Sequence, residues 1–278
     1  DKAFEHRHKM LEVLSLYNDE LLEKLVEEQV ISSEEIIEAL RKATLQGEIT
    51  PVLCGSAFKN KGVQQLMDAV VYYLPSPIDI PDIEGIHPVK KDIICRSASN
   101  EEPLCVLAFK VASDPFAGQM TFVRVYSGKF ETGKSVFNPR KGKYDRIGNL
   151  VKLHANKRED ISIINAGDIG AVVGMDLITG DTLCPKENQI ILEETQFPEP
   201  VIDQAIEPKT KVDQDKLDVA LTRLMQEDPS FRSNIDSETG QNIISGMGEL
   251  HLEVLVDRLQ REFNVDCKAG KPRVAYRE

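Results

Sequence analysis

The sequence lacks several features that would each assign it to a class of protein. No apolar run approaches the roughly eighteen residues that a membrane-spanning helix needs, and the chain does not open with a secretory signal. The five cysteines are scattered and no two form a Cys-x-x-Cys pair, so the sequence indicates neither a disulfide framework nor a zinc site. His6 and His8 stand apart from other ligand types. We therefore expect a cytoplasmic protein with reduced thiols and no bound metal.

Negative charge dominates the sequence, but its distribution is uneven. The 278 residues include 34 Lys and Arg against 46 Asp and Glu, for a net charge of −12. Residues 124–158 reverse this balance, with ten basic side chains against only Glu131 and Asp145. Such a basic segment inside an acidic protein indicates a surface for nucleic acid. The alternative, which the sequence leaves open, is a solvated strand face whose lysines protect sheet edges.

Residues 1–48 are predicted to form a helical subdomain. Apolar side chains follow one another at helical spacing from Met10 to Leu25. A capping box, in which a Ser hydroxyl and a Glu carboxylate each bind the other residue's backbone amide, is predicted at Ser32–Glu35 and begins the next helix. Gly47 is predicted to end that helix. The segment is acidic and contains no catalytic grouping.

Residues 49–75 are predicted to form one strand, a turn and a helix. An apolar run ends at Cys54, small and polar residues follow, and a helix then carries apolar side chains along one stripe until Pro75. Nucleotide-binding α/β domains place ligands at such turns, although an ordinary strand–helix connection uses the same residues. The prolines between Pro75 and Pro81 predict an extended connector, and we expect 76–103 to be a linker.

Two further domains are predicted after this linker. From 104 to 195 the apolar period switches to two, and turn signals recur at short intervals with no helix between them, which predicts a small β-barrel. Residues 196–278 follow the order β-α-β-β-α-β of a ferredoxin-like domain. The expected fold class is therefore multidomain α+β, with a partial α/β domain, a β-barrel and a ferredoxin-like domain.

One join in the last domain combines glycines with polar side chains. It is Ser245-Gly-Met-Gly-Glu-Leu-His-Leu252, between the third strand and the second helix. Two glycines ahead of a helix can hold an anion on free amides, but a tight packing turn is the simpler interpretation. Glu249 and His251 point to different helix faces and do not form an acid–base pair. The zinc-helix spacing His-Glu-x-x-His is absent.

Several of these motifs resemble those of one family. The segment Val52-Leu-Cys-Gly-Ser-Ala-Phe-Lys-Asn-Lys-Gly-Val-Gln64 resembles the last guanine-recognition loop of the translational GTPase elongation factor G. The join at 245–252 resembles a hallmark of that family's third domain. The β-rich segment resembles its second domain at Phe122-x-Arg-Val-Tyr-Ser-Gly128 and Ala166-Gly-Asp168. The resemblance implies a central fragment, from the G-domain insertion to the end of domain III.

The resemblance also implies roles for three groups of residues. Guanine contact is implied for Ser56, Ala57 and Phe58. The barrel would rest on small-subunit ribosomal RNA, where phosphate contacts are expected at Lys134, Arg140, Lys141, Lys143 and Arg146. Coupling of the domains to the nucleotide switch is implied for Ser245, Gly246, Met247, Gly248, Glu249 and His251. The full-length parent would bind GTP or GDP with Mg²⁺ and drive translocation of tRNA and mRNA on the ribosome.

The nucleotide site is incomplete in this sequence. No phosphate-binding Gly-x-x-x-x-Gly-Lys-Ser/Thr loop joins a predicted strand to a predicted helix, because the one stretch with this spacing, Gly128–Ser135, lies inside the predicted β-barrel. No Asp-x-x-Gly switch precedes residue 51, and Asn-Lys-x-Asp is absent. We therefore expect that this chain alone binds no nucleotide tightly and hydrolyses no GTP. We also expect a monomer whose partner is the ribosome and not DNA or a membrane. Two alternatives stay open: a tetracycline ribosome-protection protein, and a free-standing ribosome-binding module.

Overall fold

The chain forms two compact units. The computed structural model describes residues 2–114, 118–155, 157–192 and 197–272. One unit spans Asp1–Pro81 and the other spans Asp82–Glu278. The first is helical and the second is built mainly of antiparallel strands. Within the described ranges, no helix combines the length and the apolar character needed to cross a membrane.

Helices make up the regular structure of the first unit. They are α1 (Lys2–Ser15), α2 (Asp19–Val26), α3 (Ser33–Leu45) and α4 (Val63–Tyr73). A small apolar core contains Leu11, Leu14, Leu21, Ile31, Ile36 and Ala39. The helical periodicity from Met10 to Leu25 is interrupted after Ser15, because the Asn18 side chain accepts a hydrogen bond from Leu21 N–H (3.1 Å) and begins α2.

Both ends of α3 lie where the sequence predicts them. Ser32 N–H donates to Glu35 Oε2 (2.8 Å) and Glu35 N–H donates to Ser32 Oγ (3.3 Å), which together form the capping box. Hydrogen bonds from Lys24 and from Ser32 lower the pKa of Glu35 to about 2. After the helix, Gly47 adopts φ = 75°, a backbone conformation that residues with a side chain adopt only with strain. Its N–H donates to Thr44 O (3.0 Å).

The strand predicted to end at Cys54 is not formed. Residues 49–55 have no regular secondary structure, and Val52 is 91% exposed. A strand needs hydrogen bonds to a neighbouring strand, and the described part of this unit contains no other strand. The predicted helix is present as α4, but only Ala69 is buried along it. Its apolar stripe is exposed at Leu66, Met67, Val70 and Val71.

The segment 76–103, expected to be a linker, contains a hairpin. Strands β1 (Ile83–Ile86) and β2 (Ile93–Arg96) pair antiparallel, and β1 also pairs with β13 (Ile191–Leu192). The two hairpin strands have four residues each, which is too short for an alternating pattern to stand out beside the prolines. The third strand of this sheet lies far along the chain, where local sequence gives no sign of the pairing.

Antiparallel strands form the predicted β domain. They are β3 (Cys105–Asp114), β4 (Gly118–Ser127), β5 (Lys129–Glu131), β6 (Ser135–Asn138), β7 (Lys143–Arg146), β8 (Asn149–His154), β9 (Lys157–Ile161), β10 (Ile163–Asn165), β11 (Ile169–Val173) and β12 (Thr182–Leu183). Six pair in the order β12-β3-β4-β11-β8-β9, and β6-β7 and β5-β10 form two-stranded ladders. Inward side chains share one core, which includes Val106, Val123, Phe130, Leu150 and Ile164. Residues 193–196, at the predicted domain end, lie outside the described ranges.

The last part of the chain has the predicted ferredoxin-like order. Its elements are β14 (Ile202–Pro208), α5 (Lys211–Glu227), β15 (Arg232–Ile235), β16 (Asn242–Gly246), α6 (Glu249–Arg261) and β17 (Cys267–Gly270). The sheet order is β15-β16-β14-β17, with every pair antiparallel. Helix and sheet side chains share a core that includes Ile206, Leu217, Leu224, Ile244, Leu252 and Leu259. The predicted α+β fold class is confirmed. Residues 273–278 lie outside the described ranges.

Candidate functional site

The loop predicted to contact guanine is a self-contained turn ahead of α4. Ser56 and Lys61 exchange two backbone hydrogen bonds, of 2.9 and 3.0 Å. Between them lies one 3-10 turn, Ala57–Lys59, and Asn60 follows it in a left-handed conformation (φ 49°, ψ 42°). Gly55 is required beside the turn, because a Cβ there would lie 2.6 Å from Lys61 O. Backbone hydrogen bonds within the loop and the glycine beside it therefore determine the shape of the loop.

The three side chains predicted for guanine contact are presented together. Ser56 directly precedes the 3-10 turn, and Ala57 and Phe58 lie within it. The Phe58 ring is 100% exposed, and the Ser56 hydroxyl makes no capping hydrogen bond. An exposed ring beside a small side chain and a hydroxyl offers an apolar face and a polar group to a planar ligand.

Arg140, one of the residues predicted to contact RNA, pairs with a carboxylate of its own domain. Asp181 is 2% exposed and accepts hydrogen bonds from Arg140 Nε and from its Nη2 (3.0 Å). It also accepts from Asn138 Nδ2 (3.2 Å) and from Ile178 N–H (3.1 Å). A buried carboxylate is costly without such partners. Arg140 therefore has a structural role in this fold.

Lys141 and Lys134 also pair with carboxylates. The Lys141 side chain is 10% exposed, and its Nζ lies 3.1 Å from Asp176 Oδ2 and 3.6 Å from Asp145 Oδ2. Lys134 Nζ lies 2.7 Å from Glu131 Oε1 in a more solvated pair. Two carboxylates thus offset the Lys141 charge. Lys134 stays accessible, because an exposed ion pair is weak and exchanges with water or a ligand.

Lys143 and Arg146 differ from these residues in their surroundings. Both lie on β7 and both are exposed, and neither forms a side-chain ion pair within the described ranges. Tyr144 lies between them, half exposed, and packs edge-on against Phe137 with ring centroids 5.4 Å apart. Exposed cations beside an exposed aromatic ring are typical of surfaces that bind RNA.

The join between β16 and α6 is organised by His251. Its Nδ1 accepts from Met247 N–H (3.1 Å), and its Nε2 lies 2.8 Å from Asp228 Oδ2, just after α5. A backbone N–H only donates and an ionised carboxylate only accepts, so the proton resides on Nε2. Ser245 Oγ donates to Asp203 Oδ1 (2.5 Å). The join is therefore tied to both α5 and β14.

Sequence reasoning did not find Asp228. Its carboxylate also accepts from Ser230 N–H (2.8 Å) and Ser230 Oγ (2.6 Å). Burial acts to raise the pKa of Asp228, but the hydrogen bonds from Ser230 and His251 outweigh it and the pKa is lowered. Asp228 lies 23 residues before His251, so no local spacing links them. The packing interpretation of the join holds at Gly246, where a Cβ would lie 2.7 Å from the Leu252 side chain.

The remaining residues of the join lie toward the surface. Gly248 is the N-cap of α6, so no side chain caps this end of the helix. Glu249 is exposed in the first turn. A carboxylate at this position interacts favourably with the positive end of the helix dipole. A Cβ at Gly248 would meet nothing within 4 Å, so the position does not require glycine for space. Among the residues that the structure describes, no group of three or more His, Cys, Asp and Glu is placed to hold a metal.

Comparison with known families identifies both domains of the second unit. Residues 103–186 match the family model described as elongation factor G domain 2, and residues 197–271 match the one described as Elongation Factor G, domain III. The chain belongs to the elongation factor G family. Its β-rich domain is domain II and its ferredoxin-like domain is domain III, so the resemblance seen in the sequence is confirmed.

A solved structure extends the likeness to nearly the whole chain. The crystal structure of a protein from Thermus thermophilus is similar, with a TM-score of 0.74 at 28% sequence identity. The similarity covers 96% of this chain and 38% of the Thermus chain. This elongation factor G chain therefore spans well under half of the length of that relative.

Proposed function

We propose that this chain acts in the elongation phase of translation, as the middle portion of a GTP-driven ribosomal translocase. The observation that carries the proposal is the succession of domain II and domain III matches along the chain. In this proposal domain II contacts ribosomal RNA. Domain III transmits the nucleotide state through the join that His251 organises. The Ser245–Leu252 motif also favours elongation factor G over a ribosome-protection protein.

The proposed RNA contact lies on β7. Lys143 and Arg146 bring exposed charges that no side-chain ion pair offsets in the described ranges, and Tyr144 adds an exposed ring. Cations of this kind bind phosphates and supply affinity without sequence specificity. Arg140 and Lys141 lie in the turn between β6 and β7, and their carboxylate partners hold that turn in place. The contact surface is therefore narrower than the basic segment of the sequence.

Co-sedimentation of the chain with ribosomes tests this contact. We expect K143E/R146E to weaken binding about tenfold or more, because two phosphate contacts become repulsive. The matched control is K90E/K91E, which makes the same charge change at two exposed lysines of the β1–β2 turn. An equal loss in both variants would show that total charge and not β7 determines binding. No binding by the unsubstituted chain would place the affinity outside domains II and III.

We further propose that the guanine loop of this chain does not hold a nucleotide by itself. Ser56, Ala57 and Phe58 can address only the base. The one Gly-x-x-x-x-Gly-Lys-Ser spacing, Gly128–Ser135, leads into strand β6 and not into a helix whose N-terminus could hold the phosphates. Isothermal titration with GDP should show no binding in the micromolar range. Micromolar or tighter binding that is lost in Phe58→Ala would contradict this proposal.

A further inference from the structure

Two buried cysteines of domain II, Cys105 on β3 and Cys184 directly after β12, belong to one apolar cluster. Strand β12 pairs antiparallel with β3, with Leu183 opposite Val106. Cys184 directly follows β12, and continuing this register by one step places it opposite Cys105, on whose thiol it acts electrostatically. Both side chains are fully buried and belong to one apolar cluster. Of the other cysteines, two are exposed and one is partly buried.

The backbone around Cys184 shows which kind of cross-strand pair this is. Its N–H and C=O both bond to Phe137 on β6, at 3.0 and 2.9 Å, so they point away from β3. Cys105 and Cys184 therefore form a non-hydrogen-bonded pair, in which facing Cα atoms are about 4.5 Å apart and the side chains share one face. Disulfides bridge Cα atoms about 4.4–6.8 Å apart. A bond between these two sulfurs is compatible with the strands as they stand.

The apolar surroundings of the pair keep both buried thiols protonated. Ile190 and Leu192 pack in the same cluster, together with side chains of the small β1-β2-β13 sheet. Burial raises the pKa of the Cys105 thiol to about 12 and also raises that of Cys184. The thiolate is the reactive form of cysteine. The closed structure therefore protects this pair from reaction.

Arg96 is the cation that acts on the pair. This residue ends β2, and its guanidinium acts to lower the pKa of both thiols, against the larger effect of burial. Its Nε is buried without a hydrogen-bond partner among the described residues. If the β1-β2-β13 sheet separates from β3, water reaches the sulfurs, the effect of burial falls, and a nearby cation favours the thiolate.

We propose that Cys105 and Cys184 are a latent redox pair, which a hydroperoxide converts into a cross-strand disulfide. One thiolate attacks the peroxide O–O bond and becomes a sulfenic acid, and the peroxide leaves as water or an alcohol. The second thiol then attacks the sulfenic sulfur, the S–S bond forms and water leaves. The two sulfurs lose two electrons, and the peroxide oxygens gain them. The bond ties β12, a strand of two residues, to β3, and so fixes the segment that carries Asp181.

The test uses the full chain with Cys54, Cys95 and Cys267 replaced by Ser, so that the pair provides the only thiols. After treatment with hydrogen peroxide, the intact mass should fall by two hydrogen atoms, and a non-reducing peptide map should link Cys105 to Cys184. Dithiothreitol should reverse both changes. The matched control adds Cys184→Val, which keeps the site apolar and should give no intramolecular disulfide.

Three results would overturn the proposal. They are separate oxidation of each sulfur to sulfinic or sulfonic acid, disulfides that form only between chains, and two thiols that remain after prolonged treatment. If the triple-Ser chain does not fold by circular dichroism, the same peptide map on the unsubstituted chain decides the question. In that case a link from Cys105 to any cysteine other than Cys184 also contradicts the pair.

Discussion

Two neighbouring pairs of cations in domain II have opposite environments. Arg140 and Lys141, in the turn before β7, are held by carboxylates, whereas Lys143 and Arg146, on β7 itself, are exposed and form no side-chain ion pair within the described ranges. The sequence shows four cations in close succession. Most of the difference comes from Asp176 and Asp181, which lie 35 residues after Lys141 and 41 residues after Arg140. A charge count therefore finds a basic segment, but it does not separate cations that stabilise the fold from cations available to a polyanion.

Arg140→Ala gives the largest effect expected from this comparison. The substitution leaves Asp181 buried with two neutral donors in place of a cation, and breaking a buried pair in this way is strongly destabilising. We expect the free energy of unfolding to fall by about 3 kcal/mol in urea denaturation. Arg140→Lys keeps the charge without the paired geometry and should fall between. A loss below about 1 kcal/mol for Arg140→Ala would mean that Arg140 is not a structural cation.

His251→Ala extends the comparison to domain III. There the imidazole is held by Met247, just after β16, and by Asp228, just after α5. The substitution removes a hydrogen bond to the Asp228 carboxylate and leaves Met247 N–H without its acceptor. Hydrogen bonds to charged groups contribute about 1.5–3 kcal/mol, so we expect a loss of about 2 kcal/mol of unfolding free energy. Phe58→Ala, at a fully exposed ring, is the control and should leave stability unchanged. Equal effects would show that His251 is a surface residue in solution.

The pH dependence of stability tests the same hydrogen bond, between His251 and Asp228. The pKa of Asp228 is lowered in the folded state, so the unfolded chain binds the proton more readily. The contribution is fully present above the ordinary carboxyl pKa near 3.9, and it is lost as the pH falls through the lower folded-state value. Unfolding free energy should therefore fall more steeply below about pH 4 in the unsubstituted chain than in Asp228→Asn. Parallel curves would show that the Asp228 pKa is not lowered by folding.

Only a small effect on stability is expected for K143E/R146E. Both side chains are exposed and form no side-chain ion pair within the described ranges, and surface substitutions of this kind usually change unfolding free energy by no more than about 0.5 kcal/mol. Thermal melting of this variant beside Arg140→Ala makes the contrast direct. A loss comparable to that of Arg140→Ala would place Lys143 and Arg146 among the structural cations.

The sequence predicts the fold class well and the polar contacts within the domains poorly. The ferredoxin-like order and the Ser32 capping box follow from short-range patterns, because periodicity and caps are encoded within a few residues. The strand at Cys54 was predicted wrongly, since a strand depends on a neighbour that local sequence does not show. The hairpin in the expected linker has the same explanation. Asp181 and Asp228 were missed because the contacts they make join residues 41 and 23 positions apart.

The salt dependence of ribosome binding tests the central claim most directly. Each phosphate contact adds about one to the slope of log affinity against log salt concentration. If Lys143 and Arg146 are the contacting cations, K143A/R146A should reduce the magnitude of that slope by about 2, while Lys141→Met should leave it unchanged. A slope that stays the same in K143A/R146A, or that falls instead in Lys141→Met, would contradict the account.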